Sequence, residues 1–284
     1  MDQLPNLLLS GISTGSVYAL VALGFNVIFK STGAINFAQG EWVMMGGMVA
    51  AAAFAAQVPL GLAVLCAIAA VVVLALLSER FVVRRLPGQN ALTVTLVMIA
   101  VAICFKSLVM LVLGKNPMSL PGFSGSTPIV FGSLRIHPQT LWIVLVCALV
   151  MVGAHWFFER TVLGRAMRAV AAQPEAAALC GIEPRMAMAL SFGLAAAFGA
   201  IAGIVITPLT LTSFDHGTVL GFKGFSAAML GGLGSLPGAI LAGLLVGTVQ
   251  SLMTAIWAPG ADISVFALMT LGIIARPQGL LGKR

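Results

Sequence analysis

Glu159-Arg160-Thr161-Val162-Leu163-Gly164-Arg165-Ala166-Met167-Arg168, followed shortly by Glu175-Ala176-Ala177-Ala178-Leu179-Cys180-Gly181-Ile182, is the one long polar, helix-capable run in this chain. Apolar segments of helix length flank it on both sides. Of the 284 residues, 60% are hydrophobic and only 8% charged, and the mean hydropathy is +1.09. A soluble domain carries about a quarter charged residues, so this chain has too few charges to be solvated by water and must be solvated by lipid. A basic, Ala-rich, helix–turn–helix-like segment between two spans then reads as a surface offered to a soluble partner in the cytoplasm. That favours a driven transporter over a free-standing channel.

A bilayer core needs about twenty apolar residues per helix, and candidates stand at 6–29, 36–56, 60–77, 91–113, 140–158, 188–209, 237–256 and 262–275. The sequence therefore predicts an all-α polytopic membrane protein with about eight transmembrane helices, residues 1–284 forming a single transmembrane domain. Arg80, Arg84 and Arg85, then Arg160, Arg165, Arg168 and Arg185, then Arg276, Lys283 and Arg284 hold most of the fifteen basic residues. The excess of Lys and Arg on cytoplasmic sides places all three groups inside, with the segment 159–187 as a cytoplasmic loop. Counting back puts the N-terminus, with Asp2, outside. Counting forward requires one more crossing before the basic C-terminal residues. Its candidate, Gly221 to Pro237, is too short and too rich in Gly for an ordinary span. A broken or re-entrant segment is expected near 222–236, its backbone facing protein or a water-filled cavity. Ser31 to Glu41 has a similar polar, Gly-containing entry, and one interruption per half points to an inverted internal repeat. Segment 114–139, punctuated by Pro117, Pro121, Pro128, Pro138, Gly114, Gly122, Gly125 and Gly132, is predicted to be a compact loop or hairpin on the outer face.

The net charge of +7 is no nucleic-acid footprint, because the basic residues gather at the ends of apolar segments. Cys66, Cys104, Cys147 and Cys180 lack paired spacing and read as small hydrophobes rather than disulfides or metal ligands. The sequence contains no Gly-x-x-x-x-Gly-Lys-Ser/Thr loop and no His-Glu-x-x-His, so neither nucleotide hydrolysis, metal nor cofactor is expected on this chain. Small-residue pairs at Gly11/Gly15, Gly199/Gly203, Gly217/Gly221 and Gly243/Gly247 favour close helix packing. Asn26, Asn36, Gln39 and Glu41 are polar groups at membrane depth. A carboxylate there costs a few kcal/mol unless it meets a partner or water, so Glu41 marks either a pathway lining or a structural lock. Asn36, Gln39 and Glu41 are the candidate pathway-lining residues. Lys106 and His155 are explained by snorkelling to the interface.

Several of these stretches together resemble a known family. Gly11-Ile12-Ser13-Thr14-Gly15-Ser16-Val17-Tyr18-Ala19-Leu20 with Gly24, then Gly33-Ala34-Ile35-Asn36-Phe37-Ala38-Gln39-Gly40-Glu41, are similar to the opening signature of the permease subunits of branched-chain amino acid ABC importers. The nearer likeness is to the shorter, H-type subunit of the leucine–isoleucine–valine uptake system. Members usually have His where this chain has Gln39. Glu175-Ala176-Ala177 and Gly181 resemble the ABC coupling motif, with Ser191 at the position of its later Ile, and Arg276-Pro277-Gln278-Gly279-Leu280-Leu281-Gly282 matches the C-terminal signature. The resemblance implies a permease in the bacterial inner membrane, forming half of a pathway with a paralogous permease as a heterodimer. It further implies two ABC ATPase subunits that handle ATP and a periplasmic binding protein that delivers solute. Glu175, Ala176, Ala177 and Gly181 would contact an ATPase. Related importers take urea, short amides and aromatic acids, and a stand-alone channel or a secondary carrier is the contrasting class.

Overall fold

The structure, a computed structural model, describes residues 4–86, 90–125, 127–131 and 134–282. Expectations placed on Asp2, Gly132, Lys283 and Arg284 lie outside the described residues. Its helices are α1 (Leu4–Thr32), α2 (Gln39–Ala55), α3 (Leu60–Phe81), α4 (Ala91–Leu113), α5 (Pro138–Arg160), α6 (Val162–Ala172), α7 (Pro174–Leu179), α8 (Pro184–Thr210), α9 (His216–Gly231), α10 (Leu236–Ile256) and α11 (Gly260–Ala275). Helices α1, α4, α5, α8 and α10, and α3 continued through a 3₁₀ turn to Arg85, are long and apolar enough to cross a membrane, and α11 is a shorter apolar helix. Helix is the form expected, because lipid offers no partner to a free N–H or C=O.

Sequence marks where the helices start. Asn90 accepts a hydrogen bond from Leu92 N–H at 3.2 Å, Thr161 from Gly164 N–H at 3.0 Å and Ser235 from Gly238 N–H at 3.2 Å. Pro138, Pro174, Pro184 and Pro237 stand in first turns, where a missing N–H costs nothing. Between α4 and α5 the predicted hairpin is present: β1 (Ile129–Phe131) pairs antiparallel with β2 (Leu134–Ile136), Ile129 opposite Ile136.

Helices α1 and α8 form the inner layer. Of the most apolar stretch of α1, 83% is buried, and 67% for α8, against 22% for α3 and α4. The small-residue pairs explain how such close layers are possible. Gly11 and Gly15 of α1 interlock with Gly243 and Gly247 of α10; a Cβ on Gly15 would lie 2.8 Å from Leu244 Cα and 2.9 Å from Gly243 O. Gly199 and Gly203 receive α2 at Trp42 and Val43, and Gly221 lies on Gly40. Asn26 locks the far end of the α1–α10 pair: its side chain donates to Ser235 O at 2.9 Å and accepts from Gly234 N–H at 3.1 Å.

The two halves of the chain run in opposite directions through this frame. Ser31 and Thr32 at the end of α1 lie beside Pro184 and Met188 at the start of α8, at the end of the bundle that carries α6 and α7. After α1, the stretch 33–38 turns back into the bundle and α2 begins next to Gly24 of α1 and Ala195 of α8, about 12 Å of helix rise in from Thr32. After α8, the stretch 211–215 turns back from the opposite end and α9 begins with Gly217 against Gly40. Both non-helical stretches are held by hydrogen bonds to their backbone. Thr32, Thr95 and Asn36 side chains accept from the N–H of Ala34, Ile35 and Ala38 at 3.1, 3.2 and 3.0 Å. Thr212 exchanges two backbone bonds with Met118, at 2.9 and 2.8 Å.

The broken segment expected near 222–236 is the half-length helix α9, sixteen residues begun at His216 rather than near 222, and the interruption lies ahead of it at 211–215. Its last carbonyls are closed by the C-terminal signature: Leu280 N–H donates to Leu230 O at 2.8 Å and Leu281 N–H to Gly231 O at 3.1 Å. Gly279 and Gly232 meet there with φ of +78° and +99°, conformations that glycine adopts without strain.

Candidate functional site

Two regions answer to the residues singled out in the sequence: the place where α2 and α9 begin, and the exposed α6–α7 segment.

At the first, Gly40 and Gly221 let the starts of two oppositely running helices touch. Glu41 sits in the first turn of α2, 4% exposed. Its Oε1 accepts from the Thr218 hydroxyl of α9 at 3.1 Å. The same hydroxyl accepts from Lys106 Nζ of α4 at 3.4 Å, and Lys106 lies 5.7 Å from the centre of the Phe214 ring. Glu41, Lys106, Gly217 and Thr218 line a cavity of about 410 Å³ with Phe37, Ile99, Ile103 and Phe222 as apolar walls. Phe37 packs on Phe222 and Phe225, at ring-centre distances of 6.1 and 5.5 Å. Nearby, the Ser213 hydroxyl donates to Asp215 at 2.5 Å and holds that carboxyl below its ordinary range.

Asn36 and Gln39 are near Glu41 in sequence but are not among the residues lining this cavity. Asn36 turns its Oδ1 onto Ala38 N–H and so starts α2. Gln39 is fully buried between Gly24 and Gly199, and its Nε2 donates to Ala195 O of α8 at 2.9 Å. Among the described residues, the four buried side-chain polar atoms without a hydrogen-bond partner are Asn36 Nδ2, Gln39 Oε1, Glu41 Oε2 and Trp42 Nε1. All belong to one seven-residue stretch. Buried polar atoms are normally paired, so this stretch is where polar capacity is held in reserve.

Lys106 was not separable from a snorkelling lysine by sequence. Its place seven residues before the end of α4 fits both readings, and what distinguishes them is Thr218, on a helix far along the chain. His155 is exposed, on the wall of a separate apolar cavity with Ile12, Leu23 and Leu244.

In the second region α6 packs on α5 and α8, and α7 hangs from it. Ala177 is buried, whereas Glu175, Ala176, Ala178 and Gly181 are exposed and Leu179 is 91% exposed. Gly181 ends α7 with φ +82°, and Ile182 N–H returns to Ala177 O at 3.0 Å, a left-handed helix stop. Arg168 pairs with Glu159 at 2.7 Å and so ties α6 to the end of α5. An apolar side chain presented from a short, well-stopped helix outside the bundle is a ready contact for another protein.

A helical bundle of this build, with paired half-length helices starting inside it and a polar helical appendage at one end, is the architecture of a multi-pass membrane permease. It is similar in fold to a chain of PsaBC from Streptococcus pneumoniae, solved in complex with Fab, with a TM-score of 0.56 and 11% identity over 98% of this chain and 95% of that one. In sequence it is 33% identical to the high-affinity branched-chain amino acid transport system permease protein BraD of Pseudomonas aeruginosa, over 97% of this chain and 95% of BraD. It is 31% identical to the LivH permease protein of Escherichia coli K12, over 96% of this chain and 94% of LivH. LivM of the same organism is 28% identical over 53% of this chain and 37% of its own length. Residues 7–274 match the family described as branched-chain amino acid transport system / permease component, and the chain belongs to that family.

Proposed function

We infer that this chain is one permease subunit of an ATP-driven importer of branched-chain amino acids, forming half of the translocation pathway in a bacterial inner membrane. The observation that carries this reading is the end-to-end likeness to BraD and LivH, both named as branched-chain amino acid permease proteins. The partial likeness to LivM, also named as a permease of such a system, supports a heterodimer with a paralogous second permease. Two ABC ATPase subunits supply the work, in keeping with the absence of a phosphate-binding loop from the sequence. A periplasmic binding protein delivers the solute.

Residues 1–284 act as one transmembrane unit, with 159–187 as its coupling segment. Glu175, Ala176, Ala178, Leu179 and Gly181 present the face that an ATPase would grip, while Ala177 anchors α7 to the bundle. ATPase closure would pass through α6 and α7 to the bundles as rigid-body rocking about a central cavity. The basic groups on the α6–α7 end favour the cytoplasm for that end, with the N-terminus outside. The test is reconstitution. In liposomes the chain alone neither hydrolyses ATP nor moves leucine, and adding the second permease, the ATPases and the binding protein yields ATP-dependent uptake. Saturable leucine flux through the isolated chain would instead establish a channel or carrier.

A further inference from the structure

The cavity at the start of α2 and α9 combines features that packing alone does not require. It holds one carboxylate and one ammonium at membrane depth, an expensive arrangement. Elsewhere the chain brings such groups into direct contact, Arg84 with Glu79 at 2.9 Å and Lys223 with Asp262 at 2.7 Å. Glu41 and Lys106 are instead kept apart by the Thr218 hydroxyl that both contact. Glu41 Oε2 is buried without a hydrogen-bond partner, and the walls offered by Ile99, Ile103 and Phe222 are apolar. The volume of about 410 Å³ lies within the roughly 300–1,000 Å³ usual for small-ligand sites.

We propose that this cavity is a binding station for a zwitterionic α-amino acid with an aliphatic side chain. The ammonium meets Glu41, the carboxylate meets Lys106, and the side chain rests on Ile99, Ile103 and Phe222. An α-amino acid carries its two charges on a single carbon, and the protein holds their complements one hydroxyl apart. Thr218 lies in the first turn of α9, whose free N–H groups add positive potential on the carboxylate side. This deepens the transport reading and rests on it: selection then operates inside the membrane as well as on the delivering protein.

The test uses the full chain with Ile103→Cys in a background lacking Cys66, Cys104, Cys147 and Cys180, in membrane vesicles. The readout is the alkylation rate with a membrane-permeant maleimide in the presence of leucine, its α-keto acid, or isopentylamine, which is leucine without its carboxylate. Leucine at twice its dissociation constant should slow alkylation about threefold, while the keto acid and the amine leave it unchanged. Glu41→Gln and Lys106→Gln should each remove the protection. Phe222→Cys serves as a second wall probe if Ile103→Cys does not insert. Absence of protection by leucine, or equal protection by all three compounds, overturns the proposal. Protection that persists while the complete complex fails at ATP-driven uptake would refute the import reading and leave the station standing.

Discussion

Gly221→Ala and Gly153→Ala make the same chemical change on two membrane helices, and the structure gives them different outcomes. A Cβ on Gly153, in the middle of α5, meets nothing within 4 Å. The change therefore contributes only the helix preference of Ala over Gly, roughly 0.5–1 kcal/mol in favour of the fold. A Cβ on Gly221 would lie 2.9 Å from Gly40 Cα and 3.3 Å from Gly40 N. Ordinary contact begins near 3.4 Å, and both neighbours are backbone, so no rotamer change relieves the overlap and α2 must part from α9 by about 0.5–1 Å. Overpacking of this kind costs about 1–3 kcal/mol. The helix preference is common to both variants and cancels in the comparison, so Gly221→Ala should be about 1–3 kcal/mol less stable than Gly153→Ala. Denaturant titration of both proteins in the same mixed micelles, followed by helical circular dichroism, measures the difference. Equal stability within about 0.5 kcal/mol would mean that the α2–α9 crossing is loose, and the reasoning built on it would fail.

Three further outcomes follow from other parts of the molecule. Ala176→Trp, on the exposed face of α7, should abolish ATP-driven uptake and ATPase co-purification while insertion stays normal, and normal uptake by this variant would remove the coupling role. In a background lacking the native thiols, Ser119→Cys should react with an impermeant maleimide from outside and Gln173→Cys only from inside, and the reverse would invert the orientation; Ser126 and Gln89, expected on the same two sides respectively, lie outside the described residues. Asp262→Asn leaves the Lys223 ammonium of α9 without the carboxylate now 2.7 Å away, so it should be less stable than the double variant Lys223→Met/Asp262→Asn by about 1 kcal/mol or more in the same titration; a double variant no better than the single would discount the pair.

The long helices are legible in hydropathy because lipid leaves the backbone no alternative, and their ends fall close to the predicted ones. Helix α9 is harder to read. The glycines that let it touch α2 and α1, Gly217, Gly221 and Gly224, also dilute its apolar character. The stretch that breaks the chain ahead of it is held by Met118, a contact no local window contains. The polar residues at membrane depth are visible in sequence, but not their division of labour. Asn26 ties α1 to the α9–α10 turn, Gln39 ties α2 to α8, and Glu41 alone of the three pathway candidates lines the cavity with Lys106. Separating these roles takes the interhelical register, which a one-dimensional pattern does not hold. The exposed α7 is a different matter: an Ala-rich segment carries its helix preference locally, and its Gly181 stop is a short-range signal.

The pairing of α1 with α10 sets a timetable for synthesis. Tyr18 hydrogen-bonds to Gln250, 232 residues later, and at about 5–20 residues per second α1 waits roughly 10–50 s for that partner to be made. During the wait α1, the least apolar of the six candidate spans at a mean hydropathy of 1.7, has Tyr18 and Asn26 in the membrane without the groups that later bond them. The carbonyls at the end of α9 are closed later in synthesis, by Leu280 and Leu281, though after a shorter wait. Helix α1 is thus completed long after it is made, and the inner layer of this permease assembles after the outer helices α3, α4 and α5 are already in place.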